Sequence, residues 1–167
     1  MEKLVDTVIE EPRWEAAGLD SLAEDAARVV LSELGLGTDG FLICVMGCDD
    51  GRIASLNADF RGKPQPTNVL SWPSEDRAPE APGEVPDLPA PGDSDDPAEL
   101  GDIAIAWGVC QAEAAAQGKP FAHHVTHLIA HGVLHLLGYD HMTEEDAALM
   151  EGIEVRALAR LGIANPY

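Results

Sequence analysis

Apolar and polar positions recur along this chain with periods that mark out its elements. Leu4 to Ile9 is short and rich in β-branched residues, which predicts a strand, and Pro12 ends it. From Asp20 to about Leu34, the residues Leu22, Ala26, Val29, Val30 and Leu34 recur at helical spacing, and Gly35 and Gly37 close the pattern. Phe41 to Met46 is a continuous apolar run of strand length, as suits a central strand covered on both faces. Asp49-Asp50-Gly51 leads into a helix through Phe60, with Ile53, Leu56 and Phe60 expected on its buried side. Arg61 and Lys63 sit at its end, where the helix dipole favours cations. Thr67 to Trp72 reads as a strand stopped by Pro73, and Leu100 to Ala106 as another. An alanine-rich helix follows over about 108–117. Lys119-Pro120 then opens a helix dense in histidine, with proline suitably near its first turn. Thr143 opens the last helix, with Glu144, Glu145 and Asp146 in its first turn and Arg156 and Arg160 at its far end. No internal repeat is visible. The order of elements predicts an α+β fold, a small mixed four-stranded sheet packed with about five helices.

Residues 74–99 break the pattern. Seven prolines lie from Pro73 to Pro97, and the 74–99 stretch holds nine acids and one arginine. Such a composition buries too little apolar surface to offset its ordering entropy. The expectation is a single domain over 1–167 that carries a flexible Pro-rich, acidic insert at 74–99. An acidic lid with a function is the sharper reading of the same stretch.

Composition narrows the class. Hydrophobic residues make up 46% of the chain, ordinary for a globular protein, and no run of eighteen apolar residues exists that would predict a membrane span. Met1 to Asp6 lacks the charged-then-apolar pattern of a signal peptide, which points to the cytoplasm. Cys44, Cys48 and Cys110 are odd in number and form no C-x-x-C pair, against a disulfide framework, and Cys44 and Cys48 are expected in the core. The formal net charge is −20, with −8 of it in the insert. Affinity for a phosphate backbone comes mostly from Lys and Arg, so DNA is not expected as a partner, and any RNA groove must be local and aided by a bound cation.

The chemistry concentrates in His131-Gly132-Val133-Leu134-His135-Leu136-Leu137-Gly138-Tyr139-Asp140-His141. At 3.6 residues per turn, His131 and His135 share one face of a helix, one turn apart. Gly138 stands where the helix should stop, and the turn after it can bring His141 back toward the other two. Three converging imidazoles with a fourth position open make a catalytic rather than a closed structural zinc site. His127 offers a rival set, 127/131/135, with His124 near the same face, but ligands from three successive turns of one straight helix are strung out over roughly 12 Å. A metal with bonds of about 2 Å does not bridge that, so 131/135/141 is preferred and the metal site is placed on a C-terminal helix. The spacing is close to the metzincin pattern H-E-x-x-H-x-x-G-x-x-H, but Gly132 stands where that pattern has its glutamate base. This speaks against peptide hydrolysis by that route and leaves the metal cage intact.

Three blocks of the chain resemble the YbeY family of bacterial rRNA-maturation endoribonucleases. They are Leu56-Asn57-Ala58-Asp59-Phe60-Arg61-Gly62-Lys63 continuing to Pro66-Thr67-Asn68-Val69-Leu70-Ser71-Trp72-Pro73, then Leu100-Gly101-Asp102-Ile103, then His127 through His141. The resemblance implies one zinc ion per chain held by His131, His135 and His141, with Arg61 and His131 as catalytic residues. It also implies cleavage of single-stranded RNA, with roles in small-subunit rRNA processing and ribosome quality control. Small-subunit ribosomal proteins and a ribosome-associated GTPase are the protein partners it suggests. Asn68 and Trp72 depart from the aspartate and phenylalanine of many members, and the insert is longer than many relatives carry. On the residues themselves, a zinc ion held by neutral imidazoles keeps its charge and polarises a phosphoryl oxygen, and Arg61 offers a fork suited to phosphate. Gly132 cannot act as a base, and Asp140 is a candidate to orient a histidine. Two other readings remain in play: a metzincin-like metal-dependent hydrolase, and a non-catalytic ribosome assembly factor with a structural zinc.

Overall fold

The computed structural model describes residues 3–167. Met1 and Glu2, the start of the stretch read above for a leader, lie outside the described residues. The elements follow the expected order with one short helix, α1, added: β1 (Val5–Ile9), α1 (Arg13–Ala16), α2 (Leu19–Glu33), β2 (Phe41–Cys48), α3 (Asp50–Arg61), β3 (Val69–Pro73), β4 (Ala98–Ala106), α4 (Trp107–Gln117), α5 (Phe121–Leu136) and α6 (Glu144–Arg160). The sheet is mixed and four-stranded in the order β1-β2-β4-β3. β1, β2 and β4 run parallel, and β3 pairs antiparallel with β4, Ser71 opposite Ile103 and Trp72 opposite Asp102. β2 therefore lies inside the sheet, as its unbroken apolar run required.

Strand alternation divides the core. Ile43, Val45, Ile103 and Ile105 face the large cluster shared with α2, α5 and α6, while Cys48, Leu70, Ala104 and Ala106 face a smaller one closed by Ile53 of α3. Two caps match the sequence: Asp49 accepts from the Arg52 N–H at 2.8 Å, and Thr143 accepts from the Asp146 N–H at 3.1 Å. One turn of helix was not foreseen. α1 buries Trp14 completely against Trp107 and Phe121, with its indole N–H donating to the Cys48 carbonyl at 3.0 Å. A single apolar residue in a polar stretch carries no period, so only tertiary packing makes that turn worth forming.

The 74–97 span holds no helix or strand, as its prolines imply, yet it is tied down. Arg77, 8% exposed, donates to the Leu136 carbonyl at 3.0 Å, and the Gly83 N–H donates to Asp146 at 2.9 Å. The Gly92 N–H donates to the Gly40 carbonyl at 2.8 Å. The first of these bonds lands on the end of α5, beside the histidines. Among the described residues, no helix is long and apolar enough to cross a membrane.

Candidate metal centre

α5 packs against β3 and β4 of the sheet and against α2. Gly132 is the point of close approach: a Cβ there would stand 3.1 Å from Ile103 Cδ1. The position that would carry a protease's glutamate is thus close against the sheet, and a side chain there would have to displace Ile103 by a few tenths of an ångström. His131, just before it, and His135, about one turn after it, line a cleft of about 690 Å³. α5 ends at Leu136, and Gly138 turns the chain at φ +100°, where an added Cβ would strike the Arg77 carbonyl at 2.5 Å. Beyond that turn His141 folds back. Its ring centroid stands 5.2 Å from those of both His131 and His135.

One ligand atom from each of His131, His135 and His141 lies within 4.8 Å of the others, so the three can hold a metal ion. The donor chemistry fits that role. His135 Nδ1 donates to the Tyr139 carbonyl at 3.0 Å, and His131 Nδ1 donates to Glu154 Oε1 at 2.6 Å. Each bond fixes the tautomer that leaves Nε2 bare. The two Nε2 atoms stand 3.0 Å apart, so both are turned toward the point where a shared ion would bind. Burial, with His131 and His141 alongside, pushes the His135 pKa down to about 4, so this ring is neutral at pH 7 and competent as a ligand.

The rival ligands are engaged elsewhere. His127 Nε2 donates to Glu154 Oε2 at 2.9 Å, and His124 Nε2 donates to Glu113 at 2.9 Å. Asp140 is not the orienting group: its carboxylate accepts from the backbone N–H of His141 at 2.7 Å. That part falls to Glu154 of α6, fully buried between His127, His131 and the Tyr167 hydroxyl, which donates to it. Burial alone would raise the Glu154 pKa. The hydrogen bonds from His127 and His131 outweigh it and bring the value down to about 2, so the carboxylate is ionised. No motif marks Glu154, although it sits in the apolar stripe of α6 between Met150 and Leu158, and an acid in that register is itself a signal.

Arg61, in the last turn of α3, lines the same cleft as the three histidines. Its side chain makes no hydrogen bond or ion pair among the described residues. Arg77 is the other cation in the lining, and its guanidinium is held by Leu136 and Ser74. Asn68 also lines the cleft and donates to Glu113 at 3.1 Å, a bond that an aspartate could not make to a carboxylate. Phe60 departs from expectation. The helix period aligns it with Ile53 and Leu56, but the last turn of α3 overhangs the core, and Phe60 is 56% exposed on the cleft rim.

Comparison with known proteins is consistent with this geometry. The profile of the family described as "Endoribonuclease YbeY" matches residues 7–162. A relative of that name from Cereibacter sphaeroides is 60% identical over 167 residues, the whole of both chains. Another from Dinoroseobacter shibae is 56% identical over 163 residues, covering 98% of this chain and 90% of the relative. The solution structure of TM1509 from Thermotoga maritima superposes with a TM-score of 0.56 at 20% identity, over 95% of this chain and 92% of that one, and shows the same fold.

Proposed function

The chain belongs to the YbeY endoribonuclease family, and from that premise we propose that it cleaves single-stranded RNA with a zinc ion held by His131, His135 and His141. The observation that carries this reading is the convergence of three imidazoles, one ligand atom of each within 4.8 Å of the others, in the cleft that Arg61 also lines. A bound zinc ion supplies Lewis acidity toward a phosphoryl oxygen and toward water.

The protein's own residues do the rest. Glu154 and the Tyr139 carbonyl hold two ligand rings in one tautomer and one orientation, so little reorganisation is needed when the substrate arrives. Arg61, without a hydrogen bond or ion pair among the described residues, binds phosphate oxygens through its fork and meets the charge that develops on them. Gly132 lies against Ile103, so no protein base stands at the metzincin position, and the peptidase reading loses its general base. Arg77 pins the start of the insert beside the turn that carries His141, and we read the chain as a single domain that carries this Pro-rich, acidic insert.

The reading extends to small-subunit rRNA precursors as substrates, the class that the family resemblance suggests, and to work in the cytoplasm. The same reading brings the chain near small-subunit proteins, a ribosome-associated GTPase and the quality control of ribosomes. The test is cleavage of a labelled single-stranded RNA by the wild type, the wild type with chelator, and His135→Ala purified identically. The reading expects cleavage by the first sample alone, and equal cleavage by all three would remove it.

A further inference from the structure

We infer that the rim of the cleft beside Arg61 is a nucleobase-stacking subsite, built on Phe60 and backed by Trp72, that takes one unpaired base of the RNA. This inference rests on the RNA-cleaving reading and names how the substrate is gripped.

It begins from a shortage of positive charge. The cleft lining carries Glu75, Asp76 and Asp140, and Arg61 is its one cation not already engaged by protein groups among the described residues. The whole chain stands at −20. Contact with the phosphate backbone therefore cannot supply most of the affinity, as it does for a basic groove. The other general source of single-strand affinity is stacking of bases on aromatic faces.

The structure supplies such a face there. Three of the exposed large apolar side chains, Phe60 at 56%, Met142 at 82% and Tyr167 at 59%, line this one cleft. Phe60 directly precedes Arg61 in the chain. Its ring meets Trp72 edge-on, centroids 5.4 Å apart at 70°, an arrangement that steadies the Phe60 ring without covering it. A base stacked on Phe60 would lie in the same cleft that Arg61 lines, where the guanidinium is available to a phosphate of that strand. A duplex, whose bases are already stacked and paired, offers no free face to this ring, so the subsite gives a physical reason for single-strand preference.

The test is equilibrium binding of the zinc-loaded protein to a short single-stranded RNA that carries a fluorescent purine analogue, with cleavage followed in the same samples. Wild type, Phe60→Ala, Phe60→Leu and Phe60→Trp are compared, together with the same RNA made abasic at the analogue's position. We expect stacking to quench the analogue in the wild type. Phe60→Ala and Phe60→Leu should weaken binding by about 5- to 150-fold, and Phe60→Trp should restore it. The abasic RNA should lose a similar factor against the wild type and almost nothing further against Phe60→Ala. The salt slope should correspond to one or two phosphates, at about 0.7 per phosphate. If Phe60→Leu binds as the wild type does, or the slope corresponds to five or more phosphates, the subsite is overturned. Quenched binding without cleavage would keep the subsite and remove the nuclease reading. Cleavage indifferent to Phe60 would do the reverse, and neither binding nor cleavage would overturn both.

Discussion

Replacing Glu154 by glutamine preserves the side chain's size and removes its charge. In the native protein this fully buried carboxylate accepts hydrogen bonds from His131 Nδ1 at 2.6 Å and from His127 Nε2 at 2.9 Å, and a third from Tyr167. A hydrogen bond to an ionised group contributes about 1.5–3 kcal/mol, against about 0.5–1.5 kcal/mol for a neutral pair. Glutamine also turns an N–H₂ group toward donors that need an acceptor. His131 thereby loses about 1–2 kcal/mol of its preference for the tautomer and orientation that present Nε2 to a metal. Loss of such a supporting partner typically weakens metal affinity by about 10- to 100-fold, the same scale. The assay is competition for zinc against a chromogenic chelator, with circular dichroism and a thermal melt to confirm the fold. A folded Glu154→Gln protein with wild-type zinc affinity would refute the idea that the buried carboxylate prepares the site.

Three further outcomes follow from particular contacts. Arg61→Ala should lower kcat/KM on single-stranded RNA by about 100-fold. Arg61→Lys should recover only part of that, since an ammonium lacks the bidentate fork, and neither change should move the melting temperature because Arg61 has no protein partner among the described residues. Gly132→Glu should cost about 1–3 kcal/mol in chemical denaturation, because Ile103 must give way to a Cβ only 3.1 Å from it, and it should create no peptidase activity. Burial pushes the Cys48 thiol up to about 12 and Cys110 higher still, and it raises Cys44 too. A thiol far below its pKa stays protonated and unreactive, so at pH 8 a chromogenic disulfide reagent should label at most Cys44 in the native protein and all three cysteines after unfolding.

What could be read from the sequence was what has a period or a spacing. The His131, His135 and His141 pattern states its own geometry, because a helix and a glycine turn are local constructions. The strands and their sequence along the chain were legible for the same reason, whereas Arg61 showed only as a cation at a helix end and drew its role from the family resemblance. Glu154 was not legible: it lies 23 residues from His131, and only the packing of α6 beside α5 brings the two together. Phe60 was placed on the wrong side because period alone cannot tell where a helix runs past the edge of the core it covers. Arg77 was hidden in a stretch whose composition argued for a loose loop, and composition carries no information about a single buried guanidinium anchored to Leu136. Trp14 formed a turn of helix for tertiary reasons alone.

The central claim is that RNA cleavage depends on one metal ion held by three histidines. The most direct measurement is to strip the wild-type protein with chelator, return zinc in measured fractions of an equivalent, and follow cleavage of a labelled single-stranded RNA, with His135→Ala carried through the same steps. The account predicts no cleavage by the stripped protein, a linear recovery that breaks at one equivalent per chain, and no recovery in the variant. Full activity in the stripped protein, or equal activity in His135→Ala, would contradict it.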